Sequence, residues 1–151
     1  NTTATTVTLP TTTNIGATAI VSASAGSATI TGEGGTVTTN LQQGLAKAWV
    51  NYTGAGTTAI TDSFDVSSLT DASTGNTTVT FANDFGNANY SISTYIRKDN
   101  DAADGVETLR TFSSSAKAAG SLLLVSYYVS PTASGVFDSP ENGAHFMGDL
   151  A

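Results

Sequence analysis

Residues 121–129 read SLLLVSYYV and contain the longest apolar run of the chain, Leu122 to Val125. Successive side chains of a β-strand point to opposite faces of its sheet, so a strand of this composition is apolar on both faces. Such a strand is typical of the centre of a sheet, or of a sheet whose outer face packs against a neighbouring subunit.

Other segments alternate between apolar and polar residues with the period of a strand. Residues 77–82 place Val79 and Phe81 on one face and threonines on the other, and residues 89–97 alternate in the same way. This pattern predicts strands that are buried on one face. Further strands are predicted at residues 44–52, 63–70, 106–114 and 144–150.

Turn signals rich in Gly, Asn, Asp and Ser separate these segments. They lie at residues 54–56, 73–76, 84–87, 104–105, 119–120 and 134–135. Many short strands with such punctuation predict an all-β fold, an antiparallel sandwich or barrel. We expect a jelly-roll-like antiparallel β-sandwich. A helix is possible only at residues 39–48, where Gly44 would limit it to a short turn.

Charge and cysteine content exclude several classes of function. The chain has 151 residues, a net charge of −7 and no cysteine. An acidic chain lacks the cationic footprint that nucleic acids and anionic membranes require. The absence of cysteine excludes disulfides and cysteine-based metal or redox sites. No apolar run approaches the ~18 residues of a membrane span, so we expect no membrane insertion.

The first 34 residues differ in texture from the rest of the chain. They are rich in Thr, Ala and Ser, contain no aromatic residue, and end at a glycine-rich break at residues 32–35. Short β-favouring pieces occur at residues 5–9, 17–22 and 28–31, but they carry too few large side chains for a core. We therefore predict a stalk or anchoring segment at 1–34 and a β-sandwich head domain at 35–151. Because the chain begins with Asn1, we expect a processed protein or part of a longer one.

Catalytic signals are weak. The single histidine, His145, is not accompanied by a GxSxG nucleophile motif. No two carboxylates stand out as the acid pair of a glycosidase. The candidate acids are Asp62, Asp65, Asp84, Glu107, Asp138 and Glu141. We expect a protein without catalytic residues, and solvated surface acids explain these carboxylates.

A metal site is conceivable only in the acidic segment 99–105. Asp99, Asp101 and Asp104 cluster there, and carboxylates suit a hard cation such as Ca²⁺. The EF-hand template fails, because Asp104 occupies the position where that loop needs glycine. An acidic hairpin loop is the simpler interpretation, and we expect no metal and no cofactor.

The aromatic residues are the best candidates for ligand or interface contacts. They are Trp49, Tyr52, Tyr95, Tyr127 and Tyr128. Aromatic rings can stack on sugars, but strand aromatics more often pack in cores or subunit interfaces.

The only tryptophan of the chain lies in residues 45–56, LAKAWVNYTGAG. This segment is predicted to be a strand followed by a turn at 54–56. Ala48, Val50 and Tyr52 would share one face with Ala46. Lys47, Trp49 and Asn51 would occupy the other. Packing within the chain or against a symmetry mate explains Trp49.

One block of the sequence is specific enough to suggest a family. Residues 34–95 contain TNLQQGLAKAW, VNYTGAGT, DSFDVSSLTD, STGNTTVTF and NANYS in this order, and the chain ends in HFMGDLA. This block and this ending resemble a module near the C-termini of tail-fibre-like proteins of bacteriophages, especially marine ones.

The resemblance implies a virion structural protein, trimeric and exposed on the particle surface, that takes part in host attachment. It implies no catalytic residues. The N-terminal segment would bind other virion proteins, and a host-surface glycan is a possible ligand. Three alternatives stay open: a head fibre or decoration protein attached to the capsid, a non-viral carbohydrate-binding or adhesin module, and a glycan-degrading tail enzyme.

Overall fold

The fold is built from strands throughout the part of the chain that the structure, a computed structural model, describes. This part comprises residues 29–31, 34–40, 44–97, 105–112 and 117–151. The strands are β1 (Thr29–Thr31), β2 (Thr38–Asn40), β3 (Ala48–Thr53), β4 (Ala59–Phe64), β5 (Val66–Ser73), β6 (Asn76–Phe81), β7 (Ser91–Arg97), β8 (Val106–Arg110), β9 (Ser121–Val129), β10 (Ser134–Val136) and β11 (Glu141–Met147). The predicted all-β class is confirmed.

Two antiparallel sheets form a sandwich. One has four strands in the order β4-β3-β11-β7. The other has five strands, with β9 at its centre: β8 pairs along one edge of β9, while β6 and β10 share the other edge. The central position predicted for residues 121–129 is therefore confirmed.

A separate two-stranded ladder joins β1 to β2. It folds back through residues 34–37, where Gly35 has a φ of 75°. Glycine adopts such left-handed backbone angles without the steric cost that other residues carry. The ladder pairs residues on both sides of the domain boundary predicted at residue 35. Residues 5–9 and 17–22 lie outside the described residues.

The two sheets are joined at a sharp corner at Asp65. β4 ends at Phe64 in the four-stranded sheet, and β5 begins at Val66 in the five-stranded one. Asp65 has a φ of 56°, and Asn83 Nδ2 donates a hydrogen bond to its carboxylate. The single strand predicted at 63–70 is therefore wrong. The left-handed conformation of Asp65 breaks the alternation of faces. Phe64 therefore lies on an outer face, whereas Val66 packs against the core.

The inner faces of the sheets bury the core, and its centre is a group of four aromatic rings. Phe81 lies edge-on to Phe85 and to Phe146, with ring centroids 4.9 Å apart in both pairs, and Tyr90 stacks on Phe85 at 4.4 Å. Edge-to-face and offset arrangements are the favourable ones for aromatic pairs. The alternation predicted for residues 77–82 and 89–97 is what brings Phe81 and Tyr90 inward.

A buried polar network crosses the sandwich beside this core. Ser126 Oγ donates to Asn142 Oδ1 over 3.0 Å, and Asn142 Nδ2 donates to the Ser139 carbonyl over 3.2 Å. The same carbonyl accepts from Gly54 N at 2.8 Å. Buried polar groups must find such partners, because leaving one unpaired costs about 1–3 kcal/mol. The network ties β9, β11 and the β3–β4 turn together.

Some predicted boundaries differ from the structure. Residues 134–135 were predicted to be a turn but belong to β10. This strand pairs with the last residues of β9, on the same edge where β6 pairs with the first ones. β3 begins at Ala48 rather than at residue 44, and β11 spans Glu141–Met147 rather than 144–150. Of the short helical turn considered at 39–48, residues 41–43 lie outside the described residues; β2 extends to Asn40, Gly44 has helical backbone geometry, and β3 begins at Ala48.

Candidate functional site

The outer face of the four-stranded sheet carries a row of three rings on adjacent strands. Trp49 on β3 lies directly opposite Phe64 on β4 and opposite His145 on β11. Ser93 on β7 continues the row beyond His145. Neighbouring strands lie about 4.8 Å apart, so the three rings span roughly 10 Å across the sheet.

A second row runs parallel to the first, one pleat further along the strands. Its members are Tyr95, Gly143, Asn51 and Asp62, in register across β7, β11, β3 and β4. A Cβ at Gly143 would lie 2.9 Å from Asn51 Oδ1 and 3.7 Å from the Tyr95 Cβ. The side chains of Asn51 and Tyr95 therefore lean over the glycine from both sides.

We call these residues together the aromatic face: Trp49, Asn51, Asp62, Phe64, Tyr95, Gly143 and His145. Its rings are accessible, with Phe64 57% and Tyr95 53% exposed. Trp49 is half-buried, and Asn51, Asp62 and His145 are exposed. Isolated apolar side chains are ordinary on a protein surface, but a contiguous exposed group of them marks an interaction site.

An ion pair borders the aromatic face. Arg97 Nε lies 3.0 Å from Glu141 Oε2, and both side chains are about half exposed. A pair this accessible to solvent contributes little to stability. Met147, partly exposed at the opposite end of β11, borders the face on its other side.

The candidate aromatics from the sequence do not all come together. Trp49 and Tyr95 share the aromatic face. Tyr52 lies in the core, only 2% exposed, and burial raises the pKa of its phenol well above the ordinary value. It is therefore not available at the surface. The predicted alternation of Trp49 and Tyr52 between two faces is confirmed.

The other two candidates lie on β9, in the opposite sheet. The Arg110 guanidinium lies 3.8 Å from the centre of the Tyr127 ring, and Phe112 meets that ring edge-on at 5.8 Å. Tyr128 packs edge-on against Phe137 at 6.0 Å. Protein groups thus already occupy one side of each ring.

Sequence reasoning missed Phe64 as a surface residue and gave His145 no aromatic neighbour. Their positions follow from the register of β3 with β4 and of β3 with β11, which pairs Trp49 with both. The β3–β4 pair is a hairpin, so its alternation already contained a usable signal for Phe64. The β3–β11 pair joins distant parts of the chain and leaves no local signal.

Several candidate acids have partners within the protein. Asp138 Oδ1 accepts a hydrogen bond from Gly75 N over 2.6 Å, Asp65 accepts from Asn83, and Glu141 pairs with Arg97. The acidic segment with Asp99, Asp101 and Asp104 lies outside the described residues. Among the described residues, no three His, Asp or Glu side chains gather into a group that could hold a metal ion.

A second exposed surface lies on the outer face of the five-stranded sheet. Val106 on β8 is opposite Val129 on β9, and Val136 on β10 is opposite Tyr127. We call Val106, Val129 and Val136 the aliphatic patch. Val106 is 71% and Val129 48% exposed. The same rows contain Ser134, opposite Val129, and Tyr127, so polar side chains border these valines.

Comparison with known proteins gives no independent guide to this chain. No protein-family model, no curated protein and no solved structure matches it. Among the described residues, no helix has the length and apolar character needed to cross a membrane.

Proposed function

We propose that the chain is a module of a bacteriophage fibre, exposed on the virion and used for attachment to the host surface. The motifs of residues 34–95 and the ending HFMGDLA suggest the viral origin. The observation that supports an attachment role is the aromatic face, where Phe64, Trp49 and Tyr95 stand on one exposed sheet surface. Large rings on a rigid sheet provide contact area at a low cost in conformational entropy.

We further propose that the module is a homotrimer that packs through the aliphatic patch. β9 is apolar on both faces, so its outer face is suited to burial against a symmetry mate. Aliphatic side chains such as Val106 and Val129 can be buried there without leaving hydrogen-bonding groups unpaired. The N-terminal segment, residues 1–34, would then connect the trimer to other virion proteins.

Oligomeric state tests the packing proposal. Sedimentation equilibrium of the full chain should give the mass of three chains. Val129→Asp, which introduces a charge in the patch, should sediment as a monomer. Thr70→Asp, on the same sheet but on β5 and away from the patch, should stay trimeric. A monomeric wild type, or a trimeric Val129→Asp variant, would contradict the proposal.

The place of the chain on a particle tests the function itself. A gold-coupled antibody against residues 35–151 of the chain should label virus particles in electron micrographs. Label at the tail supports a tail fibre, and label distributed over the head supports the alternative of a capsid-attached fibre or decoration protein. Label on cells and on no particle would overturn the viral function in favour of a cellular adhesin, the alternative that the aromatic face also supports.

A further inference from the structure

We propose that the aromatic face binds a neutral glycan, with sugar rings stacked on Trp49 and its neighbours and with hydroxyls bonded to Asn51 and Asp62. This proposal rests on the attachment function above and names its ligand. A pyranose ring has an apolar face of C–H groups and a rim of hydroxyls. A site for it therefore needs flat rings with hydrogen-bonding groups beside them.

The aromatic face supplies both kinds of group in neighbouring registers. Asn51 stands two residues from Trp49 on β3, and Asp62 stands two residues from Phe64 on β4. Residues two apart on a strand lie on the same face, about 7 Å from each other. A ring stacked on Trp49 or Phe64 would thus have an amide or a carboxylate at its edge.

The polar groups also favour a sugar over a second copy of the chain. A flat protein surface docked here would bury the carboxylate of Asp62 and the amide of Asn51, and each would need a partner placed for it. A polyhydroxylated ligand carries donors and acceptors around its whole rim. The three valines of the aliphatic patch carry no such groups themselves, so that patch is the better surface for a second copy.

Charge narrows the class of glycan. The chain has a net charge of −7. On the aromatic face itself Asp62 is acidic, and at its border lie Lys47, two residues before Trp49, and the paired Arg97 and Glu141. The net negative charge of the chain as a whole disfavours polyanions such as sulfated or phosphorylated polysaccharides. A ligand built from uncharged hexoses fits the face better.

Gly143 has a defined part in this site. A methyl group there would lie 2.9 Å from Asn51 Oδ1, so Gly143→Ala must move the Asn51 amide, whereas the Tyr95 side chain, 3.7 Å away, is at an ordinary contact distance. Gly143 has no positive φ, and the displaced group is the end of a side chain. The substitution therefore separates positioning of Asn51 from stability.

The test uses the fact that Trp49 is the only tryptophan of the chain. Its fluorescence reports directly on the proposed site. The full chain is titrated with soluble oligosaccharides of glucose, galactose, mannose and N-acetylglucosamine, and with sialylated and sulfated counterparts. We expect a saturable emission change with at least one neutral sugar and none with the acidic ones.

Variants are compared on an array of the same sugars, because Trp49→Ala removes the fluorophore. Trp49→Ala, Tyr95→Ala and Asn51→Ala should each weaken binding about tenfold or more, equivalent to about 1.4 kcal/mol. Gly143→Ala should weaken it with an unchanged melting temperature. Tyr127→Ala, an aromatic truncation on the opposite sheet, is the matched control and should bind like wild type on the same array.

The outcomes separate the ligand from the function. Binding only to acidic sugars would overturn the choice of a neutral ligand. If no sugar binds, yet the chain adsorbs to host cells and Trp49→Ala does not, the receptor is a protein: the glycan proposal falls and the attachment function stands. If Trp49 becomes shielded from acrylamide as chains associate, the face is a subunit interface, which also overturns the proposal. Absence from virus particles would overturn the proposed function instead.

Discussion

Substitution of Gly75 by alanine should be among the most damaging single changes in the five-stranded sheet. Gly75 ends the β5–β6 turn with a φ of 70°. Its N–H bonds to Asp138, and its carbonyl accepts from Ser126 N over 2.8 Å. A Cβ at this position would lie 2.7 Å from Phe137 N and 2.9 Å from the Val136 Cβ. Both are fixed atoms of the segment that forms and follows β10, so the backbone itself must move.

The magnitude follows from two separate costs. Placing alanine in the left-handed region costs about 1–2 kcal/mol. Forcing a methyl group into filled space costs about 1–3 kcal/mol more. Gly75→Ala should therefore lower the free energy of unfolding by roughly 2–5 kcal/mol, a large part of the ~5–15 kcal/mol typical of a domain.

Gly56 offers a matched control for this prediction. It has nearly the same φ, 72°, but a Cβ there would meet no atom within 4 Å. Gly56→Ala should cost only the backbone term of about 1–2 kcal/mol. Urea denaturation followed by circular dichroism, at one protein concentration, measures both variants. If the two lose equal stability, the close contact between Gly75 and residues 136–137 is refuted.

Three further predictions concern the core, the buried tyrosine and the aromatic face. Asn142→Ala leaves the buried Ser126 hydroxyl without its acceptor and should cost about 1–3 kcal/mol; a double-mutant cycle with Ser126→Ala should be non-additive, and simple additivity would argue against the bond between them. Burial raises the pKa of Tyr90 to about 12 from its ordinary 10, so the stability that the neutral phenol supplies is complete below about pH 10 and is lost as the pH rises through 12. The urea midpoint of Tyr90→Phe should therefore fall less over this interval than that of wild type. Parallel pH profiles of the two proteins would count against a buried phenol. Trp49→Ala should lower the melting temperature less than Phe146→Ala does, since a buried Phe→Ala change costs about 3–5 kcal/mol; equal shifts would mean that Trp49 belongs to the core.

The strands that could be predicted from sequence are those whose pattern is local. The period of two in residues 77–82 and the two-sided run at 121–129 are properties of single segments, and β6 and β9 match them closely. The single strand predicted at residues 63–70 was wrong because of Asp65. Nothing in DSFDVSS distinguishes one long strand from two strands joined by a residue with positive φ. Only the pairing of Phe64 with β3 and of Val66 with β6 separates them.

The aromatic face shows why a site of this kind escapes local reasoning. The alternation along β3 placed Trp49 and Tyr52 on different faces of the sheet, so only one of the two could belong to the core. Alternation could not show that Phe64 and His145 stand beside Trp49, because the neighbours of a residue depend on the register between strands. That register is determined by the burial of Val50, Ala144 and their partners on the inner face. A shift of β11 by one residue would turn His145 inward and Ala144 outward. Burial of the inner-face residues therefore fixes which residues become neighbours on the outer face. The residues of the aromatic face can consequently be substituted without loss of the fold that presents them.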